Sequence, residues 1–205
     1  MVVSSSPLAA QYQPDIKVLP FEFTPQVGYR SVMNFATEPT VEGTTAKVVL
    51  ESSPSKALAF GFRLNDEDVV EIRWVRQDTQ VRVTGPVVPP FKQRVTLDQF
   101  HLDCSHEYIV REWPEWARPY IMASVGATHI SSTTNLASAT RFSFGLGAGI
   151  KIFPSPRFGF KVQAEWLPLW ITQKATAVCS GGCLVRFSGQ LASQGEVTAG
   201  PVFRF

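Results

Sequence analysis

Between Thr140 and Phe153 the chain alternates without interruption. Phe142, Phe144, Leu146, Ala148, Ile150 and Ile152 fall on one face of an extended strand, and Arg141, Ser143, Gly145, Gly147, Gly149 and Lys151 fall on the other. Successive side chains of a strand point to opposite faces, whereas a helix repeats at roughly 3.6 residues and would scatter this pattern around its surface. The segment is therefore committed to a sheet with one apolar and one polar face.

The same period runs through most of the sequence. Phe21, Phe23, Val27 and Tyr29 oppose Glu22, Thr24, Gln26 and Arg30 within Pro20–Ser31. Leu58, Phe60, Phe62 and Leu64 oppose Ala59, Gly61 and Arg63, and the turn Asn65-Asp66-Glu67-Asp68 leads into a third run, Val69–Val83. Turn residues between two alternating runs predict a hairpin. Further runs cover Arg94–Val110 (the weakest alternation), Tyr120–Ser131, Thr140–Phe153 and Phe158–Thr172. The last one ends at Phe205. The spacing predicts eight strands whose connections alternate between longer ones (near 32–46, 84–93, 132–138 and 173–189) and shorter ones (near 65–68, 111–119 and 154–157). In an up-and-down barrel alternate connections emerge at the same end, so one end carries all the long loops, as transmembrane barrels require.

Face polarity sets which way the barrel is turned. Aligning the parity of the runs places Glu22, Arg30, Arg63, Glu71, Arg73, Glu107, Arg141, Lys151, Lys161, Glu165, Glu196 and Arg204 on one face, with most of the Phe, Leu, Val, Ile and Trp on the other. An eight-stranded barrel has an interior only wide enough to be filled by side chains. Aromatic residues from every strand do not fit there, whereas Gly, Ser and Thr with a few charges do. The apolar face must point outward, and it needs lipid. Charge distribution agrees: residues 116–205 carry only Glu165 and Glu196 as acids, whereas a water-exposed surface mixes both signs. The expectation is an all-β, eight-stranded antiparallel up-and-down transmembrane barrel over residues 19–205, preceded by a stub at 1–18. Within the stub, Pro7-Leu8-Ala9-Ala10-Gln11 resembles the small-residue end of a signal peptide. With a formal net charge of +2, the chain is not a basic nucleic-acid binder.

Read in order, Phe23-Thr24-Pro25-Gln26-Val27-Gly28-Tyr29-Arg30, Ala59-Phe60-Gly61-Phe62-Arg63-Leu64, Arg141–Gly149 and Gly200-Pro201-Val202-Phe203-Arg204-Phe205 resemble the small bacterial outer-membrane β-barrels of the broad OmpA-type transmembrane domain family. That resemblance implies residence in the outer membrane of a Gram-negative bacterium, periplasmic termini and four longer loops outside. It also implies outer-membrane lipid as the surroundings, and loops that can meet an extracellular ligand. Phe203 and Phe205, in a last strand ending in Phe, are similar to the signal read by barrel-assembly machinery. The architecture hosts structural proteins, adhesins, narrow channels and a few enzymes, so it does not name a function.

Several residues carry a sharper reading beside a plainer one. The polar face can line a pore or, its signs being intermixed, close on itself as a salt-bridge plug, and the narrow lumen favours the plug. His129-Ile130-Ser131 resembles the His-x-Ser pair of outer-membrane lipid A deacylases, but residues 132–164 contain no Asp or Glu to orient the base. His129 then reads as an interfacial strand residue. Trp113, Trp116 and Tyr120, with Trp166 and Trp170, read as aromatic girdles. Cys179 and Cys183 frame a loop able to close as a disulfide, and Cys104 reads as a small strand side chain. No phosphate loop, metal-spaced His cluster or paired carboxylate motif is present, so neither metal nor cofactor is expected. The reading is a non-catalytic, structural or surface-interacting barrel. A porin-like channel, a deacylase-like enzyme and a soluble lipocalin-like binder are its alternatives.

Overall fold

The computed structural model describes residues 19–32, 47–84, 91–132, 138–170, 175–178, 184–187 and 191–205. Its strands are β1 (Phe21–Val32), β2 (Lys47–Leu50), β3 (Ser53–Arg63), β4 (Asp68–Thr84), β5 (Phe91–Glu107), β6 (Ala117–Ser132), β7 (Ala139–Ser155), β8 (Phe158–Trp170), β9 (Ala175–Val178), β10 (Leu184–Phe187) and β11 (Leu191–Arg204). Each of β1, β3–β8 and β11 pairs antiparallel with the next, β11 returns to β1, and β4 pairs with β5, so the sheet closes on itself with eight staves. At the seam Phe21 and Phe205 exchange both backbone hydrogen bonds at 3.1 Å. Closure gives each of the eight staves a hydrogen-bonded neighbour on both sides.

β2 is the upper part of the β3 stave. Leu50 faces Val81 while Ser55 faces Gln77. The register therefore slips by one residue between them, a bulge that keeps both segments on β4. Local chemistry fixes the short connections. Asn65 Oδ1 accepts the backbone N–H groups of Glu67 (2.8 Å) and Asp68 (2.7 Å), the side-chain turn that Asn favours. Ser155 Oγ accepts the N–H of Phe158 at 3.2 Å.

The faces follow the alternation. Phe60, Ile72, Phe100, Leu102, Val125, Phe142, Leu146, Phe160 and Val197 are exposed on the outside, whereas Glu22, Arg30, Arg73, Lys151 and Thr198 are buried inside. Rings crowd the outer wall around the seam, with Phe21 against Phe60 (5.8 Å), Phe62 (5.6 Å) and Phe205 (5.9 Å), and Phe158 against Phe203 (5.6 Å). Phe203 and Phe205 thus sit on the outer, short-turn end of the last stave.

Four expectations need correction. The segment 174–189 is not only loop, because β9 and β10 pair there as a hairpin. β5 begins at Phe91 and ends at Glu107, so the fourth run starts earlier and stops sooner than its weak alternation implied. Tyr120 is not part of a girdle: it is 2% exposed and points into the barrel. Arg141 has inward parity but lies high on β7, half-buried, where its guanidinium donates to the Thr140 carbonyl at 3.3 Å and, among the described residues, meets no carboxylate. The stub at 1–18, the Cys179 and Cys183 pair and most of the long connections lie outside the described residues.

Candidate functional site

The interior is built from like-charged rows that face one another across the lumen. Arg118 on β6, Lys151 on β7 and Lys161 on β8 are consecutive partners in register. On neighbouring strands like charges repel, and here carboxylates from the opposite wall separate them. Glu22 from β1 takes Lys151 Nζ at 2.7 Å, Glu107 from β5 takes it at 2.8 Å, and Glu71 from β4 takes Lys161 Nζ at 2.5 Å. Arg63 bridges Glu22 (2.7 Å) and Glu107 (2.9 Å), and Arg204 donates to Glu22 at 2.8 Å. Tyr120 lies within this layer, its hydroxyl donating to Gln163 at 3.0 Å and its ring flanked by Lys151 and Lys161 at 5.6 and 5.4 Å. Its register partner is Gly149, where a Cβ would come within 2.5 Å of the Tyr120 oxygen. A glycine is needed there for the ring to lie flat against the wall.

The next layer inverts the ratio. Arg73 holds Asp103 and Glu165, each at 2.6 Å, and Ser124 donates to Glu165 at 2.8 Å. Glu165 and Glu196 are register partners of the same sign. They are separated by different cations, since Arg30 takes Glu196 at 2.6 Å. Towards the long-loop end the pairs become neutral. His101 Nε2 lies 2.8 Å from Ser143 Oγ, which accepts from Thr128 at 3.1 Å, and Gln77 donates to Ser53 at 2.8 Å. Val75, Val95, Leu97 and Leu167 are buried in the same half of the barrel.

Of the charges expected inside, all but Arg141 join this network. Two further residues that share the parity of Glu107 also point inward: Asp103, buried at 1% exposure, and His101, at 2%, flanked by the outward Phe100, Leu102 and Cys104. With Asp103 added and Arg141 removed, the described interior holds the acids Glu22, Glu71, Asp103, Glu107, Glu165 and Glu196 against the bases Arg30, Arg63, Arg73, Lys151, Lys161 and Arg204. These twelve balance one for one, and Arg118, part-exposed at the short-turn rim, adds a seventh base 3.4 Å from Glu107. Each of the twelve ends on a partner of opposite sign.

His129 and Ser131 face outward and are not joined to each other. His129 Nδ1 meets Thr140 Oγ1 at 3.0 Å, and Ser131 Oγ donates to the Thr96 carbonyl at 3.4 Å. The acid missing from the following strand is present on the preceding one, where Asp98 is the register partner of His129. Its carboxylate, however, accepts the indole N–H of Trp74 at 3.2 Å. Each of the three groups has a separate partner, and among the described residues no hydrogen bond joins serine, histidine and acid. Cys104 is exposed on the outer face of β5. Trp113, Trp116 and Trp166 are outward and exposed, and the side chain of Trp170 lies outside the described residues. Among the described residues no group of His, Cys, Asp and Glu is placed to hold a metal ion.

The sequence matches no protein-family model, and no curated protein matches it. The structure is similar to Neisserial surface protein A, at a TM-score of 0.62 and 13% identity over 90% of this chain and 97% of that one. It is also similar to the outer membrane protein AlkL in lipid bilayers, at a TM-score of 0.55 and 9% identity over 100% of this chain and 97% of the other. At these identities the likeness is one of fold. The architecture is that of the small outer-membrane β-barrels, closed and eight-stranded.

Proposed function

We propose that this chain is an integral protein of a Gram-negative outer membrane whose lumen is closed, serving the envelope structurally and meeting external partners through its longer connections, without catalysis or conduction. Likeness of fold to two bacterial surface barrels supports the location. So does the outer wall, where apolar side chains need hydrocarbon rather than water. The observation that carries the closed lumen is burial of its charges: Arg30 and Lys151 have 0% exposed side chains and end on carboxylates of other strands. A conducting pore keeps its lining charges hydrated, whereas these two have no exposed side-chain surface. Phe203 and Phe205 close the last stave and are the residues an assembly machinery would read.

The test joins fractionation to conductance. Expressed protein should partition with outer membranes and run faster on gels unheated than boiled. Reconstituted into a planar bilayer, it should leave the current at leak level. Stepwise single-channel currents carried by the folded band would replace the closed-barrel reading with the channel.

A further inference from the structure

The outer wall changes character abruptly across β3, β4 and β5. The cross-strand row Leu58–Trp74–Phe100 is followed, two residues further toward the long-loop end, by the row Lys56–Arg76–Asp98. Trp74 marks the border, its ring on the apolar side and its N–H aimed upward at Asp98, the position of an interfacial indole. Just above this border Lys56 and Arg76 stand directly opposite each other. Like charges so placed destabilise a sheet.

Elsewhere the molecule neutralises such rows itself. Inside, Lys151 and Lys161 receive carboxylates from the opposite wall. Higher on the same outer face, Arg82 and Lys92 are also direct partners, and Glu51 bridges them at 2.5 and 3.1 Å. Among the described residues the Lys56–Arg76 pair has no such bridge. Arg76 has Asp78 at 4.0 Å, that carboxylate accepting from Thr96 at 2.7 Å, and Asp98 is turned to Trp74. Lys56 has β1 Val27 on its other side and no carboxylate within ion-pair distance among the described residues.

From this geometry we infer that Lys56 and Arg76 form a binding site for the phosphate of an outer-leaflet lipid, whose chains lie along Leu58, Phe60, Ile72 and Trp74. An anion between two cations removes their repulsion and gains charge-assisted hydrogen bonds. An anion that is also an amphiphile adds contact with the apolar rows immediately below. The inference rests on the membrane reading above, and it names the lipid chemistry which that reading leaves open.

The probes are diphosphorylated lipid A, the same lipid dephosphorylated, and inorganic phosphate, offered to folded protein in zwitterionic detergent and followed by native mass spectrometry and titration. Wild type should retain the diphosphorylated lipid, and Lys56→Gln with Arg76→Gln should weaken it by about tenfold or more, two charge-assisted contacts being lost. Arg82→Gln with Lys92→Gln should bind as wild type does. Lys56→Glu is the decisive variant, because it places an acid opposite Arg76. It should fold at least as stably as wild type without lipid, yet fail to discriminate the phosphorylated form. Equal retention of the dephosphorylated lipid would reduce the site to hydrophobic contact and overturn the inference. Binding of inorganic phosphate as tight as that of the lipid would overturn the lipid source, and undiminished binding by the double variant would remove the two residues from the site. Protein that folds only in the absence of detergent or lipid would instead defeat the membrane reading, a different failure.

Discussion

Glu22→Gln is the most direct probe of whether the barrel is sealed. Glu22 has a side chain at 0% exposure and meets three cations: Lys151 at 2.7 Å, Arg63 at 2.7 Å and Arg204 at 2.8 Å. Glutamine keeps the shape and removes the charge. The layer then holds the bases Arg63, Lys151, Lys161 and Arg204, with Arg118 at its rim, against Glu71 and Glu107 alone. Removing one partner from a buried ion pair costs about 3–5 kcal/mol, because the remaining charge stays buried and unpaired. Arg204, the register partner of Glu22, supplies the compensation. Glu22→Gln combined with Arg204→Gln should be less destabilised than the sum of the single variants by about 0.5–3 kcal/mol. Urea titration of protein folded into vesicles, read by the heat-modifiable gel shift, measures all three. If the lumen were hydrated, as in a pore, water would solvate the orphaned cations. A single-variant loss below about 1 kcal/mol, the range of solvent-exposed pairs, with additive behaviour of the double variant, would refute the sealed network.

The remaining predictions test the faces and the rim. Leu146, 52% exposed on the outer wall, should tolerate Phe, while Leu146→Arg should cost about 2–4 kcal/mol on a lipid-facing midplane. Gly147→Phe should be severe, because even a Cβ there would lie 2.7 Å from the Ala164 carbonyl oxygen and 3.1 Å from Met122, and overpacking costs typically about 1–3 kcal/mol. A Gly147→Phe variant that folds normally beside a disrupted Leu146→Phe would turn the barrel inside out. At the short-turn rim the Asp68 carboxylate, 2.8 Å from His106 Nδ1, holds the imidazole pKa above its ordinary value. Its stabilisation is therefore present below the ordinary His range, near about 6.5, and is lost as pH rises through the raised folded value. The stability difference between wild type and His106→Gln should shrink over that rise, and a difference that grew with pH would show the sign to be wrong.

Much of the fold was legible because a barrel's two environments differ so sharply. Between Arg141 and Ile152 of β7 each outward residue is apolar and each inward one is Gly, Ser or charged, so parity assigns these side chains; Phe153, buried under Arg204, is inward and apolar. In β5 the signal fades for a physical reason. Its outward residues run from Lys92, Arg94, Thr96 and Asp98 to Phe100, Leu102 and Cys104, so the outer face itself changes from polar to apolar partway along the strand. Where both faces are polar, alternation carries no information, and the early start of β5 was hidden; His101 and Asp103 lie further along, between the outward Phe100, Leu102 and Cys104, and share the inward parity of Glu107. The β2 segment was hidden differently, because the one-residue slip near Glu51 reverses parity within a single stave.

The site was legible as a list and not as a set of pairs. Sequence parity identified which charges point inward, but ion pairs here cross the lumen between strands distant in sequence, as with Glu71 and Lys161 or Arg73 and Glu165. Partners are chosen by the height at which each strand enters the barrel, which depends on register and tilt rather than on local residue type. The same dependence explains Tyr120. Beside Trp113 and Trp116 it reads as girdle, but its parity on β6 and the glycine opposite it on β7 turn the ring inward, where it stands between two lysines instead of in lipid. It also explains why Lys56 and Arg76, unremarkable as isolated surface bases, become a feature only when the register sets them face to face. Inside the barrel, opposition of like charges is resolved by the opposite wall. Outside, Glu51 does this for Arg82 and Lys92, whereas the counter-charge we infer for Lys56 and Arg76 is that of the lipid.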